Sequence, residues 1–114
     1  MGIETANLNH NALLKAGYRM YPPPLSQRCD RCYQLRVRDE NGTRFFVNVR
    51  FWQHSRYGES VSDSYDSFAQ FTGRDSVVFD IARLYHVGDT PEIIAAWFQD
   101  VWERMGCNYY ERTK

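Results

Sequence analysis

Apolar and polar positions alternate with a period of two most clearly between Cys32 and Trp52. Tyr33, Leu35 and Val37 share one face of a first strand. Phe45, Val47 and Val49 share one face of a second, with a turn between them. Two registers are open to this hairpin. A two-residue Asn41-Gly42 turn pairs Val37 with Phe46 and Leu35 with Asn48, and sets Arg36 across from Val47, so charge and apolar groups mix on both faces. A three-residue Glu40-Asn41-Gly42 loop pairs Val37 with Phe45, Leu35 with Val47 and Tyr33 with Val49. That leaves one continuous apolar face, which Phe51 extends. A type I turn followed by a left-handed glycine suits the longer loop. A one-residue slip would turn the core outward, so the second register is expected.

The remaining pattern supplies weaker elements. Asn9 to Ala16 reads as a short helix with Gly17 just past its end. Tyr18 to Tyr21 alternates like a brief strand, and Pro22-Pro23-Pro24 stops it as a stiff loop. His54 to Asp66 reads as a polar loop around Gly58. Tyr65, Phe68 and Phe71 fit a helical turn, whereas Tyr65, Ala69 and Phe71 fit a strand face, and the pattern does not decide between them. Ser76 to Tyr85 is rich in β-branched residues and predicts a further strand. Val77, Phe79 and Ile81 lie on one side of it; Val78, Asp80, Ala82 and Leu84 lie on the other.

Thr90 caps a long helix with Pro91 at its first position and Glu92 near the positive end of its dipole, running to Met105 before Gly106. At 100° per residue, Ile93, Ile94, Trp97, Phe98, Val101, Trp102 and Met105 fill a half-circle. That is wider than the stripe of roughly 100° that a helix on one sheet needs. The excess implies packing on the N-terminal helix or association with a second subunit through the Trp97 and Trp102 flanks. The expected fold is α+β: an antiparallel sheet of three to four strands, with the N-terminal helix and the long C-terminal helix packed on one face.

Length and composition narrow the class. The 114 residues suit a single domain spanning the chain, and 43% apolar with 16% aromatic content suits a folded core. No apolar run is long enough to cross a bilayer, and the polar, Asn-rich start is unlike a secretory signal. Three cysteines cannot all pair within the chain, which points to a reducing, cytoplasmic setting.

The net charge of zero weighs against a general nucleic-acid binder but hides an asymmetry. Residues 19–56 hold eight arginines against three carboxylates, and residues 57–114 hold five basic against ten acidic groups. The two halves therefore carry +5 and −5, which would cancel if they fold on each other. Arginine outnumbers lysine twelve to two. That usage suits interfaces and phosphate forks, and equally a GC-rich bacterial or phage genome.

The preferred register has a functional consequence. Arg36 and Arg38 join Arg44, Phe46, Arg50 and Trp52 on the non-core face, with Arg38 opposite Arg44. Like charges directly opposed cost stability unless an anion or carboxylate lies between them. A partner protein, internal pairing with Asp80, or the phosphates and bases of a nucleic acid would each meet this face.

Other chemistry is sparse. Cys29 and Cys32 form a lone C-x-x-C near His54, two ligands short of a structural zinc site and still one short with His54 as a third. No phosphate loop, nucleophile elbow or paired-carboxylate spacing is present. The expectation is a metal-free, cofactor-free, non-catalytic interaction or accessory protein that forms a homodimer or binds a protein partner, with nucleic-acid binding as the alternative and no membrane association.

Overall fold

The computed structural model describes residues 7–22, 31–56, 59–84 and 86–110, with side chains throughout except at 53–56 and 59–64. The order is α1 (His10–Lys15), β1 (Arg19–Tyr21), β2 (Arg31–Asp39), β3 (Gly42–Arg56), β4 (Glu59–Thr72), β5 (Val78–Arg83) and α2 (Pro91–Met105). The strands form one antiparallel sheet in sequence order, β1-β2-β3-β4-β5. The α+β class expected from the pattern is present, but the sheet has five strands where three to four were expected.

The extra strand comes from the segment expected to be a polar loop. β3 runs on to Arg56, and β4 pairs with it from Glu59 onward. The serines and aspartates there have poor strand propensity, but β-propensity is weak against the ladder that a long neighbouring strand offers. Of the two readings left open for residues 65–71, the strand holds: Tyr65, Ser67, Ala69 and Phe71 are all buried on one face.

Core packing follows the expected register upstream of the hairpin turn. Val37 opposes Phe45, Leu35 opposes Val47 and Tyr33 opposes Val49. Tyr33, Phe45, Val47, Val49 and Phe51 are fully buried, and Leu35 and Val37 pack against them half-buried. The turn itself differs from the expectation. Asp39 opposes Gly42 and Arg38 opposes Thr43, so the turn is tighter and the extra residue of the bulge is Arg44.

The helices cover the apolar face. α1 is only six residues long, sits beside β1 rather than along the sheet, and contributes Leu13 to the core. Asn9 caps it by accepting the Ala12 amide through Oδ1 (2.9 Å). α2 lies by β4 and inserts Ile94, Phe98 and Trp102. Thr90 Oγ1 accepts the Ile93 amide (3.1 Å), and Gly106 ends the helix at φ 64°, which favours glycine. The Tyr18 hydroxyl ties the two ends of the chain together by donating to the Pro91 carbonyl (2.9 Å). Burial, with Glu92 nearby, pushes the Tyr18 pKa well above the ordinary phenol range and keeps that donor protonated. No described helix is long and apolar enough to cross a membrane.

Candidate binding face

Leu13 of α1 and Ile94, Phe98 and Trp102 of α2 join the buried cluster, and among the described residues no helix lies over the opposite face of the sheet. β2 places Cys32, Gln34, Arg36 and Arg38 there, and β3 places Phe46, Asn48, Arg50 and Trp52. β1 adds Arg19 and Tyr21, because Arg19 opposes Gln34 and Tyr21 opposes Cys32. The C-terminal segment after α2 reaches the same region. The Asn108 amide donates to the Thr72 carbonyl (2.7 Å) and the Tyr110 amide to the Thr43 carbonyl (3.0 Å). These bonds set the Tyr110 ring edge-on to Phe46 at 5.5 Å.

The result is a groove of about 540 Å³ lined by Arg19, Arg36, Arg38, Tyr21, Phe46 and Tyr110, with Gln34 and Thr43 between them. That size is within the usual span of small-ligand sites, about 300–1,000 Å³. Arg36 donates from Nε to Thr43 Oγ1 (2.7 Å). Among the described residues, no carboxylate pairs with Arg19, Arg36 or Arg38. Three guanidinium groups thus share a concave, aromatic-walled surface.

The other residues assigned to this face from sequence behave differently. Arg50 forks Asp66, with Nε–Oδ1 at 2.8 Å and Nη2–Oδ2 at 2.7 Å. Its guanidinium carbon lies 4.5 Å from the centre of Phe68 and 5.1 Å from that of Trp52. Internal pairing therefore absorbs Arg50, through Asp66 rather than Asp80, whose Oδ1 accepts from Gln70 (3.3 Å).

Arg44 is a correction. The bulge turns it to the helix side, where it bonds Asp39 (2.7 Å), approaches Glu103 (3.5 Å) and sits 4.6 Å over the Trp102 ring. The expected Arg38–Arg44 opposition is thereby avoided. The Asp39 carboxyl is held below the usual carboxylate range, first by the Tyr109 hydroxyl (2.7 Å) and then by the Asn41 amide and Arg44.

Trp97 and Trp102 both find partners within the chain. Trp102 is buried against Phe45 and Tyr109, and its indole N–H donates to the Asn108 carbonyl. Trp97 packs edge-on against Phe98 and under Arg83. The wide apolar arc of α2 is accounted for by the five-stranded sheet and the C-terminal segment, although Ile93 and Met105 stay half exposed.

Cys32 is half-buried opposite Arg50, and Cys107 is a buried free thiol whose pKa burial pushes up. Cys29, the first residue of the C-x-x-C, lies outside the described residues, as do Pro23 and Pro24. His54 is placed by its backbone in β3 opposite Ser62, and its side chain is outside those described. Among the described residues, no three His, Cys, Asp or Glu side chains gather as a metal site. One buried polar cluster escaped the sequence reading: Arg83 and Asp89 form an ion pair at 2.7 Å, and the Tyr65 hydroxyl donates to Asp89 Oδ2. All three are closed off from solvent.

Arg19 and Tyr21 were legible in the alternation of the brief strand, but only the β1–β2 pairing assigns them to the groove. No pattern in the sequence marks Tyr110. Comparison with protein-family models, with curated protein sequences and with solved structures finds no match to this chain.

Proposed function

We propose that this is a small, non-catalytic accessory protein of the cytoplasm that binds single-stranded nucleic acid on the open face of its sheet. The observation that carries the reading is the groove in which Arg19, Arg36 and Arg38 meet Tyr21, Phe46 and Tyr110 with no described carboxylate among them. Phosphates supply the missing negative charge, and unpaired bases supply flat surfaces for the aromatic rings. Duplex DNA fits less well, because among the described residues this face offers neither a protruding helix nor a ribbon to enter a major groove. A neutral chain suits a partner engaged through a local patch rather than through net charge. An odd number of cysteines, three in all, suits a reducing compartment.

Fluorescence anisotropy with labelled single-stranded DNA and RNA dodecamers tests the proposal. Three phosphate contacts on a single strand give a slope of log K against log salt of roughly −2. Raising salt from about 50 to 300 mM should then weaken binding roughly fortyfold. No binding to either strand at low salt would exclude this function.

A further inference from the structure

The two edges of the sheet are unlike. β1 is three residues long and is followed by Pro22, so it offers little backbone to another chain. β5 is six residues long, pairs with β4 without a register shift, and carries neither proline nor lysine. Its surroundings are apolar. Val77, Val78, Leu84 and Val87 are four of the nine large apolar side chains that stand exposed among the described residues, and Leu84 is 81% exposed. Met20 and Tyr21 are exposed at the opposite edge, but β1 offers only three residues of ladder there, whereas β5 offers six with no described strand on its outer side.

The geometry points to a second copy of this chain as the occupant: we propose that β5 pairs antiparallel with β5 of another molecule across a two-fold axis normal to the sheet. The Gly73 amide donates to the Val77 carbonyl (2.7 Å) in the β4–β5 turn. Backbone polarity alternates along the strand from that point. Phe79, Ile81 and Arg83 therefore turn their amide and carbonyl groups to β4, while Val78, Asp80 and Ala82 turn theirs to the free edge.

A two-fold axis normal to the sheet keeps like faces together, which leaves two central registers. One is centred on Asp80 and sets two carboxylates directly opposite each other, which is destabilising. The other is centred on Ile81. It sets Val78 against Leu84 twice and Asp80 against Ala82 twice, and it pairs every outward backbone group from Val78 to Leu84. The Asp80 carboxylate is then free to keep its bond to Gln70. The Ile81 register is the one inferred. It yields a ten-stranded sheet with both Arg19–Arg36–Arg38 grooves on the same side. The inference stands whether or not those grooves bind nucleic acid.

Sedimentation velocity between about 2 and 200 μM tests the association, and disulfide trapping tests the register. Expected are a monomer–dimer equilibrium in that range and at least a tenfold loss of association in the double variant Val78→Lys, Leu84→Lys. In a background with Cys29, Cys32 and Cys107 replaced, Ile81→Cys should oxidise to a covalent dimer faster than Asp80→Cys, because the Ile81 pair meets at a non-hydrogen-bonded position with Cα atoms about 4.5 Å apart. A monomer throughout, or a dimer untouched by the double lysine variant, would overturn the proposal. Faster trapping through Asp80→Cys would overturn the register.

Discussion

The guanidinium of Arg44 sits over the indole of Trp102, 4.6 Å from the ring centroid, and bonds Asp39 from the same position. One extra residue in β3 makes this possible. Without the bulge, Arg44 would stand on the open face beside Arg38. With it, Arg44 clamps the hairpin end to α2 and the open face keeps four arginines, Arg19, Arg36, Arg38 and Arg50, instead of five. Arg44→Ala should lower stability by about 1–2 kcal/mol, since it removes a cation–π contact and a half-exposed ion pair. Urea denaturation checks this. Oligonucleotide affinity should be unchanged in the same variant.

The arginines of the groove should respond in the opposite sense. Arg36→Ala and Arg38→Ala should leave the denaturation midpoint within about 0.5 kcal/mol of wild type, because both are exposed. Each should reduce the salt slope of single-strand binding by about 0.7. Phe46→Ala should weaken binding by about 1–3 kcal/mol across sequences, as loss of a stacking ring does. Arg50→Ala should change the slope little, because Asp66 already neutralises that guanidinium. An equal loss in the Arg36 and Arg50 variants would move the site away from the groove.

Arg83 and Asp89 are 7% and 4% exposed, so their ion pair lies in the interior. Asp89→Ala should cost about 3–5 kcal/mol by stranding the guanidinium. Replacing both, as Arg83→Met with Asp89→Leu, should recover most of that loss. Thermal unfolding of the single and double variants measures the difference. A double variant as unstable as the single would mean that packing at this site, rather than the unpaired charge, sets the cost.

Asp39 should make part of the stability acid-sensitive. Its folded-state pKa lies below the ordinary value of 3.8, so its contribution is present above that value and is lost as pH falls through the folded value. The gap in stability between wild type and Asp39→Asn should therefore stay level from neutral pH to roughly pH 5 and narrow below about pH 4. Melting temperatures of the pair across pH 2.5–7 (approximate limits) check the trend. A gap that widens on acidification would contradict the assignment.

The sequence alone determined what short-range pattern encodes. The alternation of Tyr33, Leu35 and Val37 against Phe45, Val47 and Val49 specified the hairpin face, because a one-residue slip would turn arginines toward the core. Thr90, Pro91 and Gly106 specified the ends of α2 through local hydrogen bonding and backbone conformation. Tertiary structure decided what depends on a neighbour. β4 extends through serines and aspartates because the long β3 ladder is there to receive it. Arg44 leaves the open face because the bulge forms where Asp39 and Trp102 can hold it. Arg50 is taken up by Asp66, sixteen residues away, through a pairing that exists only once β4 is a strand. Arg19, Tyr21 and Tyr110 reach one groove from opposite ends of the chain because strand pairing brings their backbones together. Local pattern reports which way each side chain points on its own element, whereas the companions of a side chain on a face are set by contacts between segments distant in sequence.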